Sequence, residues 1–272
     1  MIQPSGVELG YGLAALLGAL QGVAEFLPIS SSGHLSLAQS WLGVSAEAAG
    51  HSFNIVVHAG TMLAVLLVYR RDLLDLVRGL FDAQAVAWAR PMWLALIIGS
   101  LPLGVVLIPG VEEAVVRMEG NVRAVGAALL VTAALLGFTH RRVTPADDER
   151  QPPGRAQALK IGFVQLIAVL PGVSRSGSTI AAGLLRGLEA HQAARFSFLL
   201  SIPAVGGAAL LEARHLGAVG PGLAWLLVVG AIVSAGVGVL SLRLLLVALE
   251  RGAFPLFALY CAALGGAWLC FA

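Results

Sequence analysis

Glu25 stands four residues after Gln21 and six before Ser31 in QGVAEFLPISSSGHL (21–35), a polar cluster inside an otherwise strongly apolar region. At a separation of four, a glutamine and a glutamate share one helix face and can offer two oxygens to one cation, or hydrogen-bond one another. A carboxylate at membrane depth is costly unless partnered, so its position alone makes Glu25 a functional candidate. The alternative is a protonated Glu25 hydrogen-bonded to a neighbouring helix. SSSGH (30–34) adds three hydroxyls and the amides of a Gly-containing turn leading into a new helix, which suits anionic oxygens, although Ser and Gly also start ordinary helices. His34 follows the turn directly and has the chemistry of a general acid, base or nucleophile near neutral pH.

A second cluster, PGVSRSGST (171–179), brings a guanidinium flanked by Ser174 and Ser176, with Thr179 on the helix that follows. Arg175 in an otherwise uncharged region needs a partner, and its planar fork matches phosphate oxygens two at a time. A structural salt bridge to Glu25 alone would not require so many convergent hydroxyls. Together the clusters fit phosphoryl transfer. A cation on Glu25 and Gln21 would neutralise phosphate charge, while Arg175 and the backbone amides would hold the phosphate. Ser30, Ser32, Ser174, Ser176 and Thr179 are further binding hydroxyls, and Ser31 or His34 would supply the nucleophile or proton relay. A site at membrane depth restricts the substrate to an amphiphile with a phosphate head and a lipid tail.

The elements that must position these residues are membrane helices. Of 272 residues 58% are hydrophobic and 12% charged, far from the composition of soluble domains. The net charge of +2 and scattered arginines, with Lys160 the one lysine, argue against a nucleic-acid footprint. MIQPSGVELGYG has neither the basic start nor the cleavage site of a removable signal peptide. Cys261 and Cys270, nine apart in one apolar stretch, read as small lipid- or core-facing residues rather than a disulfide. Six stretches approach the length of a span, at roughly 53–70, 91–110, 122–140, 194–211, 220–246 and 253–272. Two more, 7–42 and 158–187, are broken midway by Pro, Gly and hydroxyls, and read as re-entrant hairpins.

The broken regions match at a constant offset: Gln21, Glu25, Ser30, Ser31, Ser32 and Gly33 answer to Gln165, Val169, Ser174, Arg175, Ser176 and Gly177. Pro28 and Pro171 are out of step by one. The expected fold is therefore an all-α polytopic membrane protein, one membrane domain (1–272) built as an inverted repeat. Each half is a re-entrant helix-loop-helix plus three transmembrane helices, 1–140 and 158–272, joined by a cytoplasmic linker at 141–157 within the polar segment 140–160. Arg70, Arg71, Arg78, Arg141, Arg142, Lys160 and others crowd one side, against Arg117, Arg123 and Arg214 on the other, which makes the first side cytoplasmic. The first hairpin then enters from the outer face, the second from the cytoplasm, and they meet near the midplane.

At these residues the sequence closely resembles the bacterial undecaprenyl-diphosphate phosphatase family, also called the bacitracin-resistance family. Its signatures are a (Glu/Gln)-x-x-x-Glu helix running into P-I-S-S-(S/T)-G-H, and P-G-x-S-R-S-G-x-T. Both are present, and the likeness extends over essentially the whole chain, FNIVVHAGTMLAVLLVYR (53–70) included. The resemblance implies hydrolysis of undecaprenyl diphosphate to undecaprenyl phosphate and inorganic phosphate, which recycles the lipid carrier for cell-wall polymers and confers bacitracin resistance. It also implies a divalent cation, Mg2+ or Ca2+, and a multi-pass place in the bacterial plasma (inner) membrane with the site open to the periplasmic face. By motif, Gln21 and Glu25 are the acidic pair, Ser31 and His34 belong to the first loop, and Ser174, Arg175 and Thr179 to the second. Many members carry Glu where this chain has Gln21, so Glu25 is the only carboxylate in the motif. Ser31 is weakly favoured over His34 as nucleophile. Oligomeric state, a homodimer included, is left open.

Other readings are weaker. Type-2 phosphatidic-acid phosphatases also contain S-G-H and S-R, but need His six residues after the Arg, where Ala181 stands, and Lys seven before an Arg-Pro, where Ala83 stands. A lipid-carrier transporter or flippase would share the broken helices, but does not need the potential proton-transfer groups Ser31, His34 and Glu25. His58 is expected one helix away from the site as a packing or supporting residue. His51 and Asn54 are expected at the wet end of the same span, and Glu112, Glu113 and Glu119 in a solvated outer loop.

Overall fold

The computed structural model describes residues 9–43, 51–82, 84, 86–141, 151–212 and 221–271, and these form helices and turns with no strand among them. The first broken region is α1 (Tyr11–Phe26) and α2 (Ser31–Trp41). Pro28 has no amide to donate and pushes the residue before it out of the helical region. Leu27 accordingly ends α1 at φ −64°, ψ 142°. The second broken region is α8 (Arg155–Ile167) and α9 (Arg175–Leu185), interrupted by Pro171 and by Gly172 at φ +96°. Of the expected linker, 142–150 lies outside the described residues.

Between the hairpins lie α3 (His51–Val68), α4 (Arg70–Phe81), α5 (Ala89–Ser100), α6 (Val111–Glu119) and α7 (Val122–Gly137). After them come α10 (Ala190–Glu212), α11 (Pro221–Glu250) and α12 (Phe257–Phe271). All six expected spans fall on helices, but their lengths differ from expectation. Among the described residues two are long and apolar enough to cross a membrane, Ala89–Leu107 and Gly222–Glu250. A third qualifies if α3 and α4, bent by 73° at Tyr69, count together. At about 1.5 Å per residue, helices of 15 or 16 residues such as α12 and α7 fall short of a roughly 30 Å hydrocarbon core. They are extended by 3-10 turns, Phe254–Leu256 before α12 and Phe138–Arg141 after α7.

Two short helices occupy stretches expected to be loops. α4 buries Leu76 and Gly79 and leaves Leu74, Val77, Leu80 and Phe81 exposed beside Arg70, Arg71 and Arg78, the composition of a helix lying along a membrane surface. α6 contains the acidic segment, in which Glu113 is exposed; the side chains of Glu112 and Glu119 lie outside the described residues. Arg195 pairs with Asp72 at 3.1 Å and ties α10 to α4. Cys261 is buried in the core and Cys270 is exposed, and both are free. Arg214 lies outside the described residues.

The first helix of each broken region packs on a helix distant in the chain, α1 on α11, and α8 on α5 and the 3-10 turn Leu101–Leu107 that continues it. Both crossings are made by glycines, and Gly18 of α1 and Gly162 of α8 stand at the same offset as the motifs. A Cβ on Gly18 would meet the carbonyl oxygen of Gly230 at 2.5 Å, and one on Gly162 would meet that of Gly99 at 2.4 Å. Without a hydrophobic drive between helices in lipid, such close backbone approach is what holds them together. The largely aliphatic core includes an aromatic cluster, with the Phe198 ring 5.7 Å from Phe26 and 6.0 Å from Tyr69.

The last spans, α7 and α12, lie side by side and hold one broken loop each. On α7, buried Thr132 donates to the carbonyl of Gly172 at 3.1 Å and accepts from the amide of Ser174 at 3.0 Å. On α12, the Cys261 thiol reaches the carbonyl of Pro28 at 3.3 Å. Thr132→Val keeps the shape but leaves a buried amide and carbonyl unpaired, at a cost of about 1–3 kcal/mol. The thermal unfolding midpoint in detergent should fall for Thr132→Val and recover for Thr132→Ser, which restores the hydroxyl.

Candidate active site

The two loops meet face to face. A Cβ on Gly177 would lie 2.8 Å from Cβ of Pro28, and Gly33 faces Val125 and Gly172. Around this contact is a cavity of about 190 Å³ lined by Glu25, Ser30–Ser32, Ser174–Ser176 and His58, with an apolar wall that includes Val169 and Val205. Helices α2 and α9 both begin at its edge, so unpaired first-turn amides and the positive ends of two helix dipoles converge there.

Glu25 is the hub. Its Oε1 accepts from Arg175 Nη2, and its Oε2 accepts from Ser31 Oγ at 2.7 Å and Gln21 Nε2 at 3.1 Å. The carboxylate and guanidinium are 9% and 18% exposed, so each would carry a large desolvation cost alone. Arg175 Nη1 is buried without a protein partner, the free tine of a fork whose other tine is fixed. An anionic oxygen bound in the cavity would satisfy it.

The hydroxyls divide into two groups. Ser174 Oγ accepts from the amide of Gly177 at 3.2 Å and caps α9. Ser176 Oγ donates to the carbonyls of Glu25 and Phe26 at 3.1 and 3.3 Å, closing the end of α1. Thr179 Oγ1 donates back to the carbonyl of Arg175 at 2.7 Å, lies 2.6 Å from Ser197 Oγ, and does not line the cavity. These three, expected to bind substrate, hold the loops in place. Ser30 and Ser32 face one another across 3.4 Å and, with Ser31, form the hydroxyl wall.

The histidines exchange their expected places. His34 does not line the cavity; its ring lies against Tyr260 of α12. His58, expected one helix away, lines the cavity with Nε2 3.9 Å from Glu25 Oε2. Its Nδ1 donates to the carbonyl of Asn54 at 2.8 Å, which aims Nε2 inward as an acceptor in the neutral ring. Asn54 in turn accepts from Gln39 of α2 at 2.8 Å, a link between helices rather than a wet end. The side chain of His51 lies outside the described residues. An intramembrane histidine was the available signal for His58, but its helix face relative to the loops was not.

The fit of a divalent cation turns on donors. No group of three His, Cys, Asp or Glu side chains that could hold one occurs among the described residues, and Glu25 already takes three donors. Gln21 Oε1, however, is buried with no partner beside that carboxylate. One carboxylate and one amide oxygen suit a cation that takes its remaining ligands from phosphate and water, as Mg2+ commonly does, and not a closed protein cage.

Removing one member of the buried pair is more damaging than removing both. Arg175→Ala should destabilise the fold by about 3–5 kcal/mol, and Glu25→Gln combined with Arg175→Met should recover most of that. Thermal midpoints of the three proteins check the order.

A family model described as bacitracin resistance protein BacA matches residues 14–267. The undecaprenyl-diphosphatase of Desulfosudis oleivorans is 41% identical over 270 residues, covering 93% of this chain and 96% of the relative. That of Desulforapulum autotrophicum is 40% identical over 272 residues (95% and 96%), and that of Methanosphaera stadtmanae 38% over 267 residues (93% and 94%). With the match running through both broken loops and every helix that positions them, the chain belongs to the bacitracin resistance protein BacA family.

Proposed function

We propose that Ser31 is the attacking group of a multi-pass membrane phosphatase that hydrolyses undecaprenyl diphosphate to undecaprenyl phosphate and inorganic phosphate. The enzyme recycles the lipid carrier for cell-wall synthesis and thereby confers bacitracin resistance, in keeping with its family and the printed activity of its relatives. The observation that carries the choice of Ser31 is its 2.7 Å hydrogen bond to Glu25 at the meeting point of two helix N-termini.

Ser31 Oγ attacks the terminal phosphorus and its proton passes to Glu25 Oε2. The bridging P–O bond breaks, and undecaprenyl phosphate leaves with the electron pair. Charge gathering on the equatorial oxygens meets Arg175 Nη1 and the first-turn amides of α2 and α9, fixed donors that need no reorganisation. Water then attacks the phosphoserine. The proton on Glu25 returns to Ser31 Oγ as that P–O bond breaks, and a proton from water replaces it on the carboxylate before release to solvent. Inorganic phosphate is the product. His58 Nε2 faces the same space and can accept a hydrogen bond from the water. Mg2+ or Ca2+ is part of the proposal: Glu25 and Gln21 Oε1 would hold the ion with the diphosphate's own oxygens, and when bound it neutralises phosphate charge.

The location is the bacterial plasma (inner) membrane, with the cavity open to the periplasmic face; the excess of arginine on the α3–α4 and linker side supports this. The inverted arrangement of 1–140 and 158–272 about a linker at 141–157 is supported by the offset that the motifs share with Gly18 and Gly162, the crossing glycines of α1 and α8.

Purified protein in detergent should release phosphate from farnesyl diphosphate, and EDTA should stop the release. Removing an electrostatic donor or the nucleophile typically costs about a hundredfold or more, so Ser31→Ala and Arg175→Ala should lose at least that much. An acid quench with terminal [32P]-labelled substrate should trap label on the protein, but not on Ser31→Ala. Phosphate release that persists in Glu25→Ala and Arg175→Ala overturns the site assignment. Orientation is checked separately: in a Cys270→Ser background, a cysteine at Glu113 should react with an impermeant maleimide added outside the membrane.

A further inference from the structure

His34 turns its ring out of the cavity, and both ring nitrogens are engaged. Nδ1 lies 2.8 Å from the carbonyl oxygen of Ser30. A carbonyl only accepts, so Nδ1 carries the proton. In the neutral ring Nε2 is then an acceptor, and the Tyr260 hydroxyl donates to it at 2.6 Å from a helix 226 residues further along the chain. The two rings stack at 5.7 Å and 16°.

What this chain of bonds grips is an unusual piece of backbone. Ser30 stands at φ +72°, the one non-glycine residue in the left-handed region among the described residues. Such a conformation costs a side-chain-bearing residue energy and persists where the surroundings over-determine it. Its carbonyl receives two donors of His34, the ring Nδ1 at 2.8 Å and the backbone amide at 3.3 Å. That carbonyl belongs to the peptide plane leading into Ser31, so its orientation sets the direction in which Ser31 Oγ points.

We propose that Tyr260 is a positioning residue for the phosphatase reaction. Its hydroxyl holds His34, His34 holds the Ser30 carbonyl, and the fixed turn holds Ser31 Oγ on Glu25. The inference rests on the reading of Ser31 as the attacking group. It gives His34 a task that needs no contact with the phosphate, and it makes the last helix a working part of a loop near the start of the chain.

The test uses full-length protein in detergent with farnesyl diphosphate and saturating Mg2+. Tyr260→Phe keeps the stacked ring and removes the hydroxyl. Loss of one hydrogen bond should lower kcat by about three- to tenfold, with KM within about twofold and an unchanged unfolding midpoint. The single-turnover rate of phosphoserine formation should fall by the same factor. His34→Asn, whose amide can reproduce the Nδ1–H donor, should keep far more activity than His34→Ala, and adding Tyr260→Phe to it should change nothing further. An unchanged kcat in Tyr260→Phe, multiplying effects in the double variant, or His34→Asn as inactive as His34→Ala overturns the proposal. If Ser31→Ala still releases phosphate at the wild-type rate, the reading of Ser31 has failed instead, an outcome scored without reference to Tyr260.

Discussion

A buried ion pair between residues 150 apart, Glu25 and Arg175, is the constraint from which the rest of the architecture follows. Neither charge can be left alone among apolar helices, so the two broken loops must meet. For them to meet, two helices must stop within the protein, and their freed backbone groups must be satisfied there. Ser176 closes the end of α1, Ser174 caps α9, and Thr132 pairs the backbone around Gly172. A pair of this kind rarely adds net stability over an apolar replacement of the same shape. Its presence among so many hydroxyls therefore points to chemistry.

The division of labour among the hydroxyls follows from the same constraint. Ser174, Ser176 and Thr179 close the ends of the broken helices through backbone contacts, and of the three Ser174 and Ser176 also line the cavity. The groups best placed to meet an anion are the first-turn amides of α2 and α9 and Arg175 Nη1, which has no protein partner, beside the wall of Ser30–Ser32. Amides at a helix start suit this work because they are rigid and already aimed. Rigid donors matter most in a dry site, where reorganisation is costly.

Much of this could be read from the sequence because motif spacing encodes it. Gln21, Glu25, Ser31 and Arg175 are brought together as their types and offsets require, and Pro28 and Pro171 mark the breaks. What spacing does not encode is direction. His34 follows the serines in the chain, yet the left-handed turn at Ser30 rotates its ring toward α12, while His58 reaches Glu25 from a helix with no motif at all. Thr179 was legible as a polar residue near the loop, but not that its hydroxyl bonds the carbonyl one turn back, a local preference of threonine in a helix. The helices α4 and α6 were hidden for another reason. Their charges read as loop, although an amphipathic helix at a membrane surface carries the same composition.

Charge balance is the physical ground for the proposed cation. In the protein alone Glu25 and Arg175 cancel, and the two helix starts add about half a positive charge each. A terminal phosphate brings roughly two negative charges, and the bridging phosphate adds more. Arg175 cannot answer for this by itself, because one of its nitrogens stays on Glu25. With a glutamine at position 21, Glu25 is the one carboxylate among the cavity's lining residues, so the protein alone cannot hold a divalent ion strongly. A cation that shares Glu25 with the diphosphate itself would supply the missing charge at the moment it is needed. On this ground the swap from glutamate to glutamine weakens the empty site more than the loaded one.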